Sequence, residues 1–87
     1  MDVLSVIHLF KELDDDEVLR IELINGSKIY YLPSDLVLND PSVIEIIKTI
    51  KEDRIQQIII NPNAIAVVCT MSRETYDLKL QRGELYV

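Results

Sequence analysis

Tryptophan is absent from this chain, phenylalanine and histidine occur once each, and 87 residues hold one cysteine, two glycines and three prolines. The lone Cys69 excludes an intramolecular disulfide framework and fits a reducing compartment, so the cytoplasm is the expected location. One histidine and one cysteine are too few groups for a nucleophile, its base and an orienting partner, and no catalytic residue is assigned. Positive charge is also scarce. Nine lysines and arginines face fifteen acids, for a net charge of −6. A protein that grips phosphates needs a basic footprint, and none is legible, so direct nucleic-acid binding is not expected. No apolar run approaches the roughly 18 residues of a membrane span, so no membrane contact is expected. The apolar first thirteen residues do not read as a signal peptide either, because Asp2 replaces the basic start and no small-residue cleavage site follows. No metal, cofactor, phosphate-binding or small-molecule substrate signature is present.

What is abundant is apolar material. Hydrophobic residues make up 48% of the chain, and thirteen residues are isoleucine. The length predicts a single domain over 1–87, a size that buries only about 60–65% of its unfolded surface. That composition exceeds what one small monomer readily hides, which points to self-association. The negative charge is uneven. Residues 1–17 carry six acids against one base, residues 18–54 six against five, and residues 55–87 three against three, giving −5, −1 and 0. The run Glu12, Asp14, Asp15, Asp16 and Glu17 is therefore a candidate contact surface, as well as a solvated loop that keeps the chain in solution. A calcium loop counted from Asp14 fails, since Leu19 falls where the turn glycine is required.

The stretch Val18 to Leu32 organises the rest. Asn25-Gly26 between two β-rich runs is a strong hairpin signal. A two-residue turn there pairs Leu19 with Leu32 and Ile21 with Tyr30, and places Leu19, Ile21, Leu23, Tyr30 and Leu32 on the core face. A three-residue loop, Asn25-Gly26-Ser27, would instead bring Ile29 and Tyr31 into the core.

Before the hairpin, residues 2–13 predict an amphipathic helix, with Val3, Val6, Ile7, Phe10 and Leu13 on one stripe and His8 on its solvated side. After it, Pro33 ends the strand and Ser34 opens a single turn through Leu38. Asp40-Pro41 reads as a helix start, and Val43, Ile46, Ile47 and Ile50 form a stripe that predicts a helix over 41–53. Residues 55–61 read as a strand buried on both faces or central in its sheet, Asn61 to Ala64 as a type I turn, and 65–71 as a central strand in which Cys69 is a core thiol. The alternation of Tyr76, Leu78 and Leu80 predicts a strand over 75–81. Leu85 to Val87 would add a short edge strand, so that 55–87 is a meander.

The expected fold is α+β: two layers, a mainly antiparallel sheet, element order α-β-β-α-β-β-β, and two amphipathic helices packed on one sheet face. The opposite face would expose an apolar patch of Ile24, Ile29, Tyr31 and Val68, and patches of that kind mark interaction surfaces. The function expected is that of a small, acidic, non-catalytic protein-interaction or regulatory module whose partner is another protein, foremost a second copy of itself. The alternative is an acidic mimic of nucleic acid, of the kind small phage proteins form, blocking the basic groove of a nucleic-acid-processing protein. An enzyme is less supported than either of these, and direct nucleic-acid binding less still.

Overall fold

The computed structural model of the protein describes residues 3–40, 42–51 and 54–84. In chain order it contains helix α1 (Val3–Lys11), strands β1 (Glu17–Leu23), β2 (Lys28–Tyr31), β3 (Leu36–Asp40), β4 (Val43–Lys51) and β5 (Arg54–Ile60), a 3-10 turn at Pro62–Ala64, strand β6 (Ile65–Ser72) and helix α2 (Arg73–Gln81). The α+β class holds, with every strand pairing antiparallel. The strands form two sheets of three: β2-β1-β6, here sheet A, and β3-β4-β5, here sheet B.

The expected order of elements does not hold. The segment read as the second helix is strand β4, and the physical reason lies in its composition. Six of the nine residues in Val43–Lys51 are β-branched, side chains that lose χ1 freedom in a helix and pack well on a pleated surface. The same stretch also alternates: Ile44 and Ile46 are buried on one side, while Val43, Glu45 and Ile47 face the other. Residues 36–40, read in part as a single turn, pair with it as β3.

The strand expected over 75–81 is helix α2. Ser72 caps it, its hydroxyl accepting the Thr75 N–H at 3.1 Å. At the other end the N–H of Gly83 donates to the Leu80 carbonyl at 3.2 Å and that of Glu84 to Lys79 at 2.9 Å, with Gly83 at φ 69°. That is the Schellman pattern, which requires a left-handed residue after the helix. Capping and straight-chain helix formers outweigh the short alternation. The expected meander over 55–87 is likewise replaced. From β5 the chain passes through the Pro62 turn, where Asn61 Oδ1 accepts the Asn63 N–H, and crosses to sheet A to pair β6 with β1. Both β5 and β6 are edge strands rather than the buried central strands expected. The short strand expected at 85–87 lies outside the described residues.

The hairpin forms with a different loop from either expected one. Gly26 N–H donates to the Leu23 carbonyl and Leu23 N–H to the Ser27 carbonyl, at 2.9 and 2.8 Å, with Gly26 at φ 87°. That is a type I turn over Ile24-Asn25 followed by a left-handed glycine, a three-residue loop. It pairs Leu19 with Tyr31 and Ile21 with Ile29. Ile29 and Tyr31 therefore replace Tyr30 and Leu32 on the core face.

The main core is where α1, sheet A and sheet B meet: Val6, Ile7, Phe10, Leu19, Ile21, Tyr31, Ile44, Ile46, Ile60 and Ile65. Phe10 meets Tyr31 edge to face, with centroids 4.5 Å apart, a favoured aromatic geometry. On the opposite face of sheet A, Tyr76 of α2 packs on Val18 and Tyr30. The two helices thus cover opposite faces of sheet A, not the same one. No helix among the described residues is long and apolar enough to cross a membrane.

Candidate interaction surface on the second sheet

The register of sheet B sorts its side chains. Ile44, Ile46 and Ile60 point into the core, with Val37 and Ile58 packed partly against them. The other face aligns Leu36 with Ile47 and Gln57, Leu38 with Glu45 and Ile59, and Thr49 with Ile55. Among the described residues, nothing covers that face. Leu36 is 61% exposed, Leu38 52%, Ile55 67% and Ile59 62%, so large apolar side chains stand in water on each of its edge strands. Glu45 lies among them, in register with Leu38 and Ile59, and the Gln57 Nε2–H donates to its Oε1. Scattered exposed leucines are ordinary; a contiguous set on one pleated surface marks an interaction site.

The residues predicted for a sheet-face contact lie elsewhere. Tyr31 is buried in the main core, and Ile29 and Val68 pack partly against it. Only Ile24, at the hairpin tip, is exposed. The hairpin register is the reason: one step turns Tyr31 and Ile29 inward. The structure brings Leu36, Leu38, Ile47, Ile55 and Ile59 together instead. These were hidden from sequence reasoning because the face exists only once 43–51 is a strand.

The acidic run forms the loop into β1. Glu12, Asp14, Asp15 and Asp16 are exposed, and Glu17 is partly buried at the start of the strand. Several of its groups serve the loop itself. Glu17 Oε1 accepts the Asp14 N–H at 3.1 Å, the Asp16 carbonyl accepts the Arg73 N–H at 2.7 Å, and Glu12 Oε1 lies 3.0 Å from His8 Nε2. Among the described residues, no group of three or more His, Cys, Asp or Glu side chains is arranged to hold a metal ion.

A polar cluster gathers around Asp35, where the chain passes from β2 into β3. Lys48 Nζ on β4 lies 2.5 Å from Asp35 Oδ2, which also accepts the Leu32 N–H at 3.0 Å. The Tyr31 hydroxyl donates to the Asp35 carbonyl at 3.1 Å. Burial, and then the Asp35 charge, push the Tyr31 phenol above its usual 10.0.

No protein-family model, no curated protein sequence and no solved structure matches this chain.

Proposed function

We propose that the chain is a non-catalytic protein-interaction module that pairs with a second copy of itself through the outer face of sheet B. The observation that carries this reading is the exposure of Leu36, Leu38, Ile55 and Ile59 on one pleated surface. A second copy suits that face for two reasons. It is flat, and sheets stack face to face at about 10 Å. Its exposed large side chains are apolar in a chain of net −6, so two copies meeting there keep the acidic run of 12–17 out of the contact. Three strands of about seven residues give a footprint on the order of 14 × 24 Å. That is small for an obligate dimer, so the expected association is reversible and micromolar.

The chemistry-bearing side chains support the non-catalytic part. His8 is exposed on α1, beside Glu12, while Cys69 lies on β6, in register with Arg20 and on the α2 side of sheet A. The single cysteine suits a reducing, cytoplasmic setting.

A second reading, the acidic run as a phosphate surrogate for a basic groove, draws on the exposure of Glu12, Asp14, Asp15 and Asp16. It is the weaker one, because Glu12 and Glu17 already engage partners within the chain.

Sedimentation velocity across micromolar concentrations tests the proposal. The wild type is expected to show a concentration-dependent dimer, and the double substitution Leu38→Lys, Ile59→Lys a monomer with an unchanged circular dichroism spectrum. A monomeric wild type at tens of micromolar would overturn it.

A further inference from the structure

The hairpin tip carries the one asparagine in the sequence that is followed by glycine. Asn25 and Gly26 are both exposed, and a Cβ built on Gly26 would meet nothing within 4 Å. The other asparagines are less open to attack by the next residue: Asn39 precedes Asp40, Asn61 precedes Pro62 and Asn63 precedes Ala64. A proline nitrogen has no proton to lose, and a side chain on the following residue crowds its nitrogen, whereas glycine presents neither obstacle. We infer that Asn25 is the site of spontaneous deamidation in this chain, and that the folded hairpin gates the reaction, which proceeds only when the tip opens.

The chemistry is intramolecular. Hydroxide removes the Gly26 amide proton, and the nitrogen attacks Asn25 Cγ. The Cγ–Nδ2 bond breaks, ammonia leaves with a proton taken from water, and a five-membered imide forms. Water then opens the ring at either carbonyl, giving aspartate or isoaspartate. The net exchange is one water for one ammonia, and it adds one negative charge to a chain of net −6.

The turn holds apart the two atoms that must meet. The Gly26 N–H donates to the Leu23 carbonyl at 2.9 Å, so its proton is engaged. Asn25 Oδ1 accepts the Ser27 N–H at 2.9 Å, which fixes the side-chain amide. The backbone adds a third constraint. Ring closure needs the Gly26 nitrogen to eclipse Asn25 Cβ, whereas ψ is about 0° at the second central position of a type I turn, and the nitrogen there eclipses the Asn25 nitrogen instead. One local opening of the tip releases all three constraints.

The two products differ in what they do to the hairpin. Aspartate keeps an oxygen for the Ser27 N–H. Isoaspartate adds a methylene to the main chain, inside a loop whose length sets the pairing of Leu19 with Tyr31 and Ile21 with Ile29. The tip belongs to sheet A and shares no residue with the outer face of sheet B, so this inference is independent of the proposed self-association.

The experiment incubates the full chain in mildly alkaline buffer, folded and in guanidinium chloride above its unfolding midpoint. Mass spectrometry follows the gain in mass as NH2 is replaced by OH. The folded chain is expected to react about thirtyfold more slowly than the unfolded one, the factor that two hydrogen bonds of ordinary net strength give. Hydrogen exchange at the Gly26 amide should be slowed by a similar factor, because the same opening exposes it. Asn25→Gln, compared in denaturant where its folding does not enter, is expected to lose the gain. Equal rates in the folded and unfolded chain would overturn the gate. An undiminished gain in Asn25→Gln would overturn the site.

Discussion

Lys48 and Asp35 form an ion pair at the start of the β3–β4 ladder, with Nζ 2.5 Å from Oδ2 and side chains only 14% and 10% exposed. Removing one member of such a pair leaves the other charge poorly solvated, which costs more than the pair itself contributes. Asp35→Ala is expected to destabilise the protein by about 3 kcal/mol, since it strands Lys48 and also removes the acceptor of the Leu32 N–H. Lys48→Met strands the Asp35 carboxylate but leaves it the Leu32 N–H, and is expected to cost less, about 2 kcal/mol. Urea unfolding of both variants measures the difference; equal losses would contradict the asymmetry.

Tyr31 adds a pH dependence at the alkaline end. Its phenol is held above 10.0 by burial first and the Asp35 charge second. The native state therefore favours the neutral phenol. The associated stability is complete below pH 10, the unfolded value, and is lost as pH rises through the higher folded value. Absorbance titration at 295 nm should show one of the four tyrosines ionising late. Tyr31→Phe should abolish that late component and cost about 1 kcal/mol at neutral pH through the lost Asp35 hydrogen bond.

Helix α2 depends on its ends. Ser72→Ala is expected to cost about 1 kcal/mol through the lost cap. Gly83→Ala should cost a similar amount, on the order of 1 kcal/mol, for a purely conformational reason: φ is +69° and nothing lies within 4 Å of an added Cβ. Thermal unfolding of each variant checks this. A neutral Gly83→Ala would mean that the helix ends elsewhere.

Much of this fold can be read from local pattern, and the parts that cannot share a cause. The spacing of Val6, Ile7 and Phe10 fits α1, Asn25-Gly26 marks the hairpin, and Pro62 between asparagines marks the turn into β6. The stretch 43–51 is ambiguous because its apolar residues hold both a helical stripe (Val43, Ile46, Ile47, Ile50) and an alternating pair (Ile44, Ile46); β-branching, not periodicity, decides it. The segment 73–81 is ambiguous in the opposite sense, and Ser72 with Gly83 decides it. The pairing of β6 with β1, across five intervening elements, leaves no local trace at all. The candidate surface inherits those ambiguities: Leu36, Leu38, Ile55 and Ile59 become one face only after β4 is known to be a strand between them.

The acidic run separates the two readings of function. Asp15→Asn with Asp16→Asn changes the net charge from −6 to −4 at exposed positions, away from the outer face of sheet B. Self-association is expected to persist in this variant, strengthened slightly at low salt as repulsion between copies falls. Dimer loss, measured by light scattering, would transfer the contact to the acidic loop.

The most direct test is an isotope-filtered NOE experiment on an equal mixture of ¹³C-labelled and unlabelled chains. Methyl contacts between copies are expected among Leu36, Leu38, Ile47, Ile55 and Ile59, and these residues should lose none of their contacts within one chain. Contacts between copies at other residues, or none at concentrations where the protein is dimeric by sedimentation, would contradict the account.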